Sequence, residues 1–132
     1  MLKLEIVTPE RKVLDTSVDT VTVPTASGEA GILPNHAPLV SALKPGVLTY
    51  SNGGSVERIA VAGGFVEVSG NKVSVLADEA ETADEVSIEA ARAEREAAEK
   101  GLASAINQPF EETEHLRDQL ETANARLQIA SK

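Results

Sequence analysis

The chain has 132 residues, and 12 Lys and Arg against 21 Asp and Glu give a formal charge of −9, a balance that excludes general nucleic-acid binding because too few cations are present to displace phosphate counterions. An anionic membrane surface is disfavoured for the same reason, and the absence of Cys removes disulfides, thiolate metal sites and cysteine nucleophiles. No apolar run approaches the ~18 residues of a spanning helix and no leader-like segment precedes the first strand-like stretch, so the chain reads as a mature soluble protein beginning at Met1, without direct membrane insertion.

The first elements alternate with period two. Leu2, Leu4 and Ile6 interleave with Lys3 and Glu5, which predicts a strand with one buried face. Pro9-Glu10-Arg11-Lys12 is the turn to a second strand, and Val21 and Val23 flank Thr22 in a third. Gly28-Glu29-Ala30-Gly31 and the proline-bracketed Leu33-Pro34-Asn35-His36-Ala37-Pro38-Leu39 read as loop. Asn52-Gly53-Gly54 separates Val47–Ser51 from Val56–Val61, and Gly70-Asn71 separates Phe65–Ser69 from Lys72–Leu76; residues tolerant of positive φ at these points predict hairpins. Gly63-Gly64 lacks the following helix that a phosphate-binding loop requires and reads as a tight backbone turn. The short acidic run Asp78-Glu79, Glu81 and Asp84-Glu85 reads as a solvated linker.

At Val86 the composition changes. Thirteen of the 14 valines, eight of nine glycines and five of six prolines precede it, whereas the last 47 residues hold ten alanines. β-Branched residues suit a pleated, half-buried surface and Ala, Leu, Glu and Arg suit helices, so residues 1–85 form an all-β domain, a sandwich or flattened barrel, and 86–132 a helical one. Ser87 caps a helix running to about Ile106, with a thin stripe of Ile88, Ala91, Ala98, Leu102 and Ala105. Asn107-Gln108-Pro109 breaks it. Leu116, Leu120, Ala123, Leu127 and Ala130 then recur at spacings of 4, 3, 4 and 3, a coiled-coil-like seam. The fold class is therefore α+β: an all-β part followed by an antiparallel α-helical hairpin.

The catalytic inventory is poor. His36 stands in a loop with no recognisable acid or nucleophile, and is read as a loop residue satisfied by local hydrogen bonds. His115 lies on an acidic helix face, and neither His has metal-ligand spacing around it. No catalytic residue and no metal site is expected.

Three stretches carry a resemblance: Gly28-Glu29-Ala30-Gly31-Ile32-Leu33-Pro34-Asn35-His36-Ala37-Pro38-Leu39; Ile59-Ala60-Val61-Ala62-Gly63-Gly64-Phe65-Val66-Glu67-Val68; and Val73-Ser74-Val75-Leu76-Ala77-Asp78-Glu79-Ala80-Glu81. In this order, ahead of a helical hairpin, they resemble the epsilon subunit of the bacterial rotary F-type ATP synthase, strongly through Glu81 and more weakly beyond. The resemblance implies a sandwich of about ten short strands and a non-catalytic central-stalk subunit. It would couple the ion-driven rotor to the catalytic head and inhibit ATP hydrolysis through its C-terminal helices. The implied partners are the gamma subunit, the c-subunit ring and the alpha/beta head. The implied place is the cytoplasmic face of the bacterial inner membrane, as a peripheral protein. The implied contacts with gamma and the c ring fall on the loop containing Glu29, Ala30 and Gly31 and on His36. Whether H⁺ or Na⁺ drives the rotor would be decided in the c ring.

Some epsilon subunits bind regulatory ATP through an Ile/Leu-Asp-x-x-Arg-Ala motif, aided by arginines in the second helix. Ile88-Glu89-Ala90-Ala91-Arg92-Ala93 has that spacing with Glu for Asp, and Arg126 is an available second-helix cation. A rival register beginning at Val86-Ser87 puts Ala90 where the Arg belongs. Arg117 and Arg126, nine residues apart at ~100° each, fall on opposite faces. Arg92 as an exposed helix residue is the competing reading, and no resident cofactor is expected. Two further hypotheses stand beside the stalk subunit: a free-standing β-sandwich binding module whose Leu116–Leu127 seam dimerises, and a small hydrolase built on His36.

Overall fold

The structure, a computed structural model, describes residues 1–130. Ten strands come first: β1 Leu2–Val7, β2 Lys12–Val18, β3 Thr20–Thr25, β4 Gly28–Ile32, β5 Leu39–Ala42, β6 Gly46–Asn52, β7 Ser55–Ala62, β8 Phe65–Ser69, β9 Lys72–Leu76 and β10 Glu79–Thr82. They make two five-stranded sheets, ordered β2-β1-β9-β8-β5 and β10-β7-β6-β3-β4. All named pairings are antiparallel except β1 with β9, where Lys3 lies opposite Lys72 and Val7 opposite Leu76.

The period-two pattern puts Leu2, Leu4, Ile6, Val66, Val68, Val73 and Val75 of the first sheet against Val21, Val23, Leu48, Ile59 and Val61 of the second. Each such side chain contributes about 1.5–3 kcal/mol when taken out of water, and the core does without Phe or Trp. Gly53 and Gly54, at φ 60° and 88°, form the β6–β7 turn. At Gly63-Gly64 the chain leaves the second sheet for the first. Gly64 has φ +84°, and a Cβ there would sit 1.9 Å from the Leu76 carbonyl oxygen, so only glycine fits.

Two segments depart from the sequence reading. Glu29, Ala30 and Gly31 are not in a loop: they form the edge strand β4, with Val23 opposite Ala30 and Pro24 opposite Glu29. An edge strand has a ladder on one side only, so a stretch with poor β propensity is held by its partner. The acidic run is no free linker either. Glu79–Thr82 pairs with Ile59–Ala62 as β10, and Ala83–Glu85 is a 3₁₀ turn. Glu85 Oε1 accepts from Thr82 N–H at 2.9 Å, and Arg11 Nη2 donates to Glu85 Oε2 at 2.5 Å.

Helices α1 (Ile88–Ser104) and α2 (Glu114–Ala130) form the hairpin. Ser87 Oγ accepts Ala90 N–H at 3.2 Å, the expected cap. Ala91, Ala98 and Ala105 are buried as the thin stripe predicts, but Ile88 remains 43% exposed. The first helix ends at Ser104, leaving Ile106 81% exposed in the bend. Gly101 lets Leu116 approach: a Cβ at 101 would meet Leu116 Cδ2 at 3.0 Å. Leu120, Ala123 and Leu127 share the Leu116 face, so the seam is used within the chain. A second α2 face, Ala125 and Ile129, packs with Ala60, Val47 and Val86, laying α2 across β6 and β7.

Candidate partner-docking surfaces

The loop between β4 and β5 is pinned at three points. Pro34 fixes the first corner position of a turn and Asn35 takes φ +68° at the second, the arrangement of a type II turn, closed by His36 N–H to Leu33 O at 3.1 Å. Asn35 N–H donates to Asn71 Oδ1 at 2.8 Å, tying the loop to the β8–β9 turn. The His36 ring donates from Nδ1–H to its neighbour's carbonyl, Ala37 O, at 2.6 Å. It is half-buried and engaged locally, while Leu33 beside it is exposed. Glu29 and Gly31 are exposed on β4 and Ala30 is half-buried. The structure therefore places Glu29, Ala30 and Gly31 on a sheet edge, and His36 in the loop that follows it.

A further surface escapes the strand-by-strand reading. The outward residues Ala42, Phe65, Leu76 and Val7 lie opposite one another across β5, β8, β9 and β1. Phe65 and Leu76 are 43% and 39% exposed. Together with Thr8, Pro9, Gly64, Ala77 and Asp78, three of the four line a cavity of about 470 Å³. Apart from Val40, 68% exposed opposite Glu67 on β5, the rest of this outer face is polar, with Lys3, Glu5, Glu67, Lys72 and Ser74 in outward positions. An apolar row on a sheet face that is otherwise mainly polar is the feature expected of a surface that meets a partner. It is visible in the sequence only as apolar residues at both ends of polar-alternating strands, Val7, Phe65 and Leu76, whose alignment needs the register.

The hairpin residues do not form one constellation. Ile88, Glu89 and Arg92 lie in the first turns of α1, and Glu89 and Arg92 are exposed. Arg126, its side chain 16% exposed, projects from α2 between the sandwich and α1. Its Nε lies 2.7 Å from Glu81 Oε1 and its Nη1 3.6 Å from Glu94 Oε1. The short Nε contact is off the N–H axis, so the hydrogen bond of this pair runs instead from Arg126 Nη2 to Glu81 Oε2 at 3.5 Å, while Arg126 Nε and Glu94 Oε1 have no hydrogen-bond partner. Arg117 turns the other way. Its Nη2 donates to Phe110 O at 2.8 Å, its Nη1 to Thr113 Oγ1, and the guanidinium stacks 3.4 Å above the Phe110 ring centroid. The two arginines face apart, as their spacing predicts.

Among the described residues no group of three His, Asp or Glu side chains is placed to hold a metal ion, and no helix is long and apolar enough to cross a membrane.

Residues 1–83 match the family model described as ATP synthase, Delta/Epsilon chain, beta-sandwich domain. The chain is 50% identical over 102 residues to the ATP synthase epsilon chain of Desulforamulus reducens, covering 77% of each. It is 44% identical over 133 aligned positions to that of Syntrophobacter fumaroxidans, covering 99% of this chain and 96% of the relative. Among solved structures it is similar to a chain in the Euglena gracilis mitochondrial ATP synthase, in a structure of OSCP, F1 and the c-ring in rotational state 1. The TM-score is 0.77 and the identity 25%, with 99% of this chain and 81% of that one covered.

Proposed function

The chain belongs to the ATP synthase delta/epsilon family, and from that premise we propose that its sandwich is the body docked on the rotor while its hairpin is an arm restraining ATP hydrolysis. The alignment with the Syntrophobacter fumaroxidans epsilon chain spans the helices as well as the sandwich, at 44% identity overall, which supports one role for both parts. In this reading gamma covers the apolar row of Val7, Phe65, Leu76 and Ala42. The β4 edge at Glu29, Ala30 and Gly31, with His36 in the following loop, turns toward the c ring and gamma. The subunit holds no active site of its own, and catalysis belongs to the alpha/beta head. Its place is the cytoplasmic face of the inner membrane, as a peripheral component.

The observation that carries the arm is how lightly the hairpin rests. Its apolar footing is Ala125 and Ile129 on Ala60 and Val47 of the second sheet, with Val86 of the connecting segment beside them, a patch far smaller than the sandwich core, so its summed gain at ~25 cal/mol per Å² is small. A body held so lightly exchanges positions when another surface offers comparable burial. Regulatory ATP stays outside this reading, because Arg126 already faces Glu81 and Glu94. The dimerising-module alternative loses its surface, since Leu116 is packed on Gly101 of its own chain.

Deleting residues 86–132 is expected to leave an assembly that synthesises ATP and hydrolyses it faster. Unchanged hydrolysis makes the arm structural. Cysteine at Glu29 is expected to cross-link to c, and cysteine at His36 to gamma. Failure of both, while distant surface cysteines react, removes the docking assignment.

A further inference from the structure

The joint between hairpin and sandwich carries an excess of one sign of charge. Beside Arg126 lies a cleft of about 360 Å³, lined from the sandwich by Asp78 and Glu79 and from the hairpin by Glu94 of α1 and Asp118 of α2. Glu81 of β10 adjoins it through its contact with Arg126. The neutral lining, including Gln119, Thr122 and Pro45, supplies no compensating cation. On the sandwich side, Arg11 borders Asp78, Glu79 and Glu81 in a neighbouring cavity, but its guanidinium pairs with Glu85. From the hairpin, Arg126 reaches across.

We infer that Arg126 is the latch of a like-charged joint: it holds the arm against the sandwich by pairing Glu81 and Glu94, and without it the facing carboxylates push the arm away. Arg126 sits between three elements, β10, α1 and α2, so one side chain fixes both the hairpin's closure and its seat. Like charges facing across a partly solvated gap repel over about a Debye length, and salt screens that repulsion. The apolar footing alone has no such salt dependence. The latch therefore has a signature that packing does not share.

This rests on the reading of the hairpin as a movable arm, and the test separates the two. The chain has no Cys, so Val56→Cys on β7 and Ile106→Cys in the bend, both exposed, give a clean label pair for distance measurement in the full-length chain. Arg126→Gln is expected to raise the open population about tenfold or more, the scale of a lost charge-assisted contact. Raising NaCl from about 0.02 M to about 0.5 M should return that variant toward the closed distance. Adding Glu79→Gln and Asp118→Asn should close it at low salt. An Arg126→Gln chain as closed as the parent, or one that opens equally at both salt concentrations, overturns the latch. Ile129→Ala, which weakens the footing, is the control: if it opens the arm while Arg126→Gln does not, only the latch falls. If neither opens it, the movable-arm reading falls and takes the latch with it.

Discussion

Asn71 grips Asn35 across 36 positions of sequence: its Oδ1 accepts the Asn35 backbone N–H at 2.8 Å, while its own carbonyl accepts Lys3 N–H at the same distance. One turn residue thus holds both the N-terminal strand and the His36 loop. Asn71→Ala is expected to cost about 1 kcal/mol, the scale of one hydrogen bond, and to speed amide exchange at residues 33–38. Asn71→Asp keeps an acceptor oxygen and should leave exchange close to the parent rate. Equal protection in Asn71→Ala and the parent would show that Pro34 and Pro38 alone hold the loop.

Glycine replacements separate strain from collision. Gly70, at φ +60°, has nothing within 4 Å of a would-be Cβ, whereas at Gly64 the Leu76 carbonyl stands 1.9 Å away. Gly70→Ala should lower stability by about 1–2 kcal/mol, the left-handed backbone cost. Gly64→Ala adds an overlap with backbone that cannot move without breaking the sheet corner, so its loss should clearly exceed that range. Denaturant melts of the two variants make the comparison, and equal midpoints would contradict it.

The apolar row gives a prediction that separates docking from folding. Phe65 and Leu76 are too exposed to hold the core together, so Phe65→Ser and Leu76→Ser should leave the melting midpoint close to that of the parent. In a pull-down with gamma, Phe65→Ser should weaken association by about 30-fold, the scale of an interfacial aromatic anchor. Undiminished binding would move the gamma contact elsewhere on the sandwich.

The Thr82 backbone N–H, and then Arg11, hold the Glu85 carboxyl below the usual glutamate range. A carboxyl depressed on folding stabilises the folded state fully above its unfolded pKa, and that contribution is lost as pH falls through the folded value. Glu85→Gln should therefore be less stable than the parent at neutral pH, by no more than about 1 kcal/mol for so exposed a pair. The difference should vanish once the solution is acidic enough to protonate the carboxyl. A difference independent of pH would assign the effect to packing.

The sandwich's central strands and its hairpin were legible because their signals are local: alternation in Leu2, Leu4 and Ile6, glycine at Gly53-Gly54, the cap at Ser87. What escaped depends on neighbours. Gly28–Ile32 becomes strand because Thr20–Thr25 offers it a ladder, and Glu79–Thr82 because Ile59–Ala62 does. The clean Leu116–Leu127 seam drew attention from Ala125 and Ile129, four residues apart on a narrower face, whose burial depends on Ala60 being present opposite. The nearness of Arg126 to Glu81, 45 residues earlier in sequence, is likewise set by the fold and is written in neither segment alone.

The parallel pairing of β1 with β9 also orders events on the ribosome. The antiparallel partner of Leu2–Val7, Lys12–Val18, follows it directly in sequence, but the other edge of Leu2–Val7 has no neighbour until Lys72–Leu76 has been synthesised. Until then the nascent chain displays an open strand edge beside the unburied Leu2, Leu4 and Ile6. Such an edge invites pairing with other nascent chains on the same message, and contacts this distant in sequence close late. A nascent chain whose Lys72–Leu76 has not yet left the ribosome would carry that edge uncovered and be prone to aggregate, whereas a chain released at residue 85 has every strand of both sheets available without any of the hairpin.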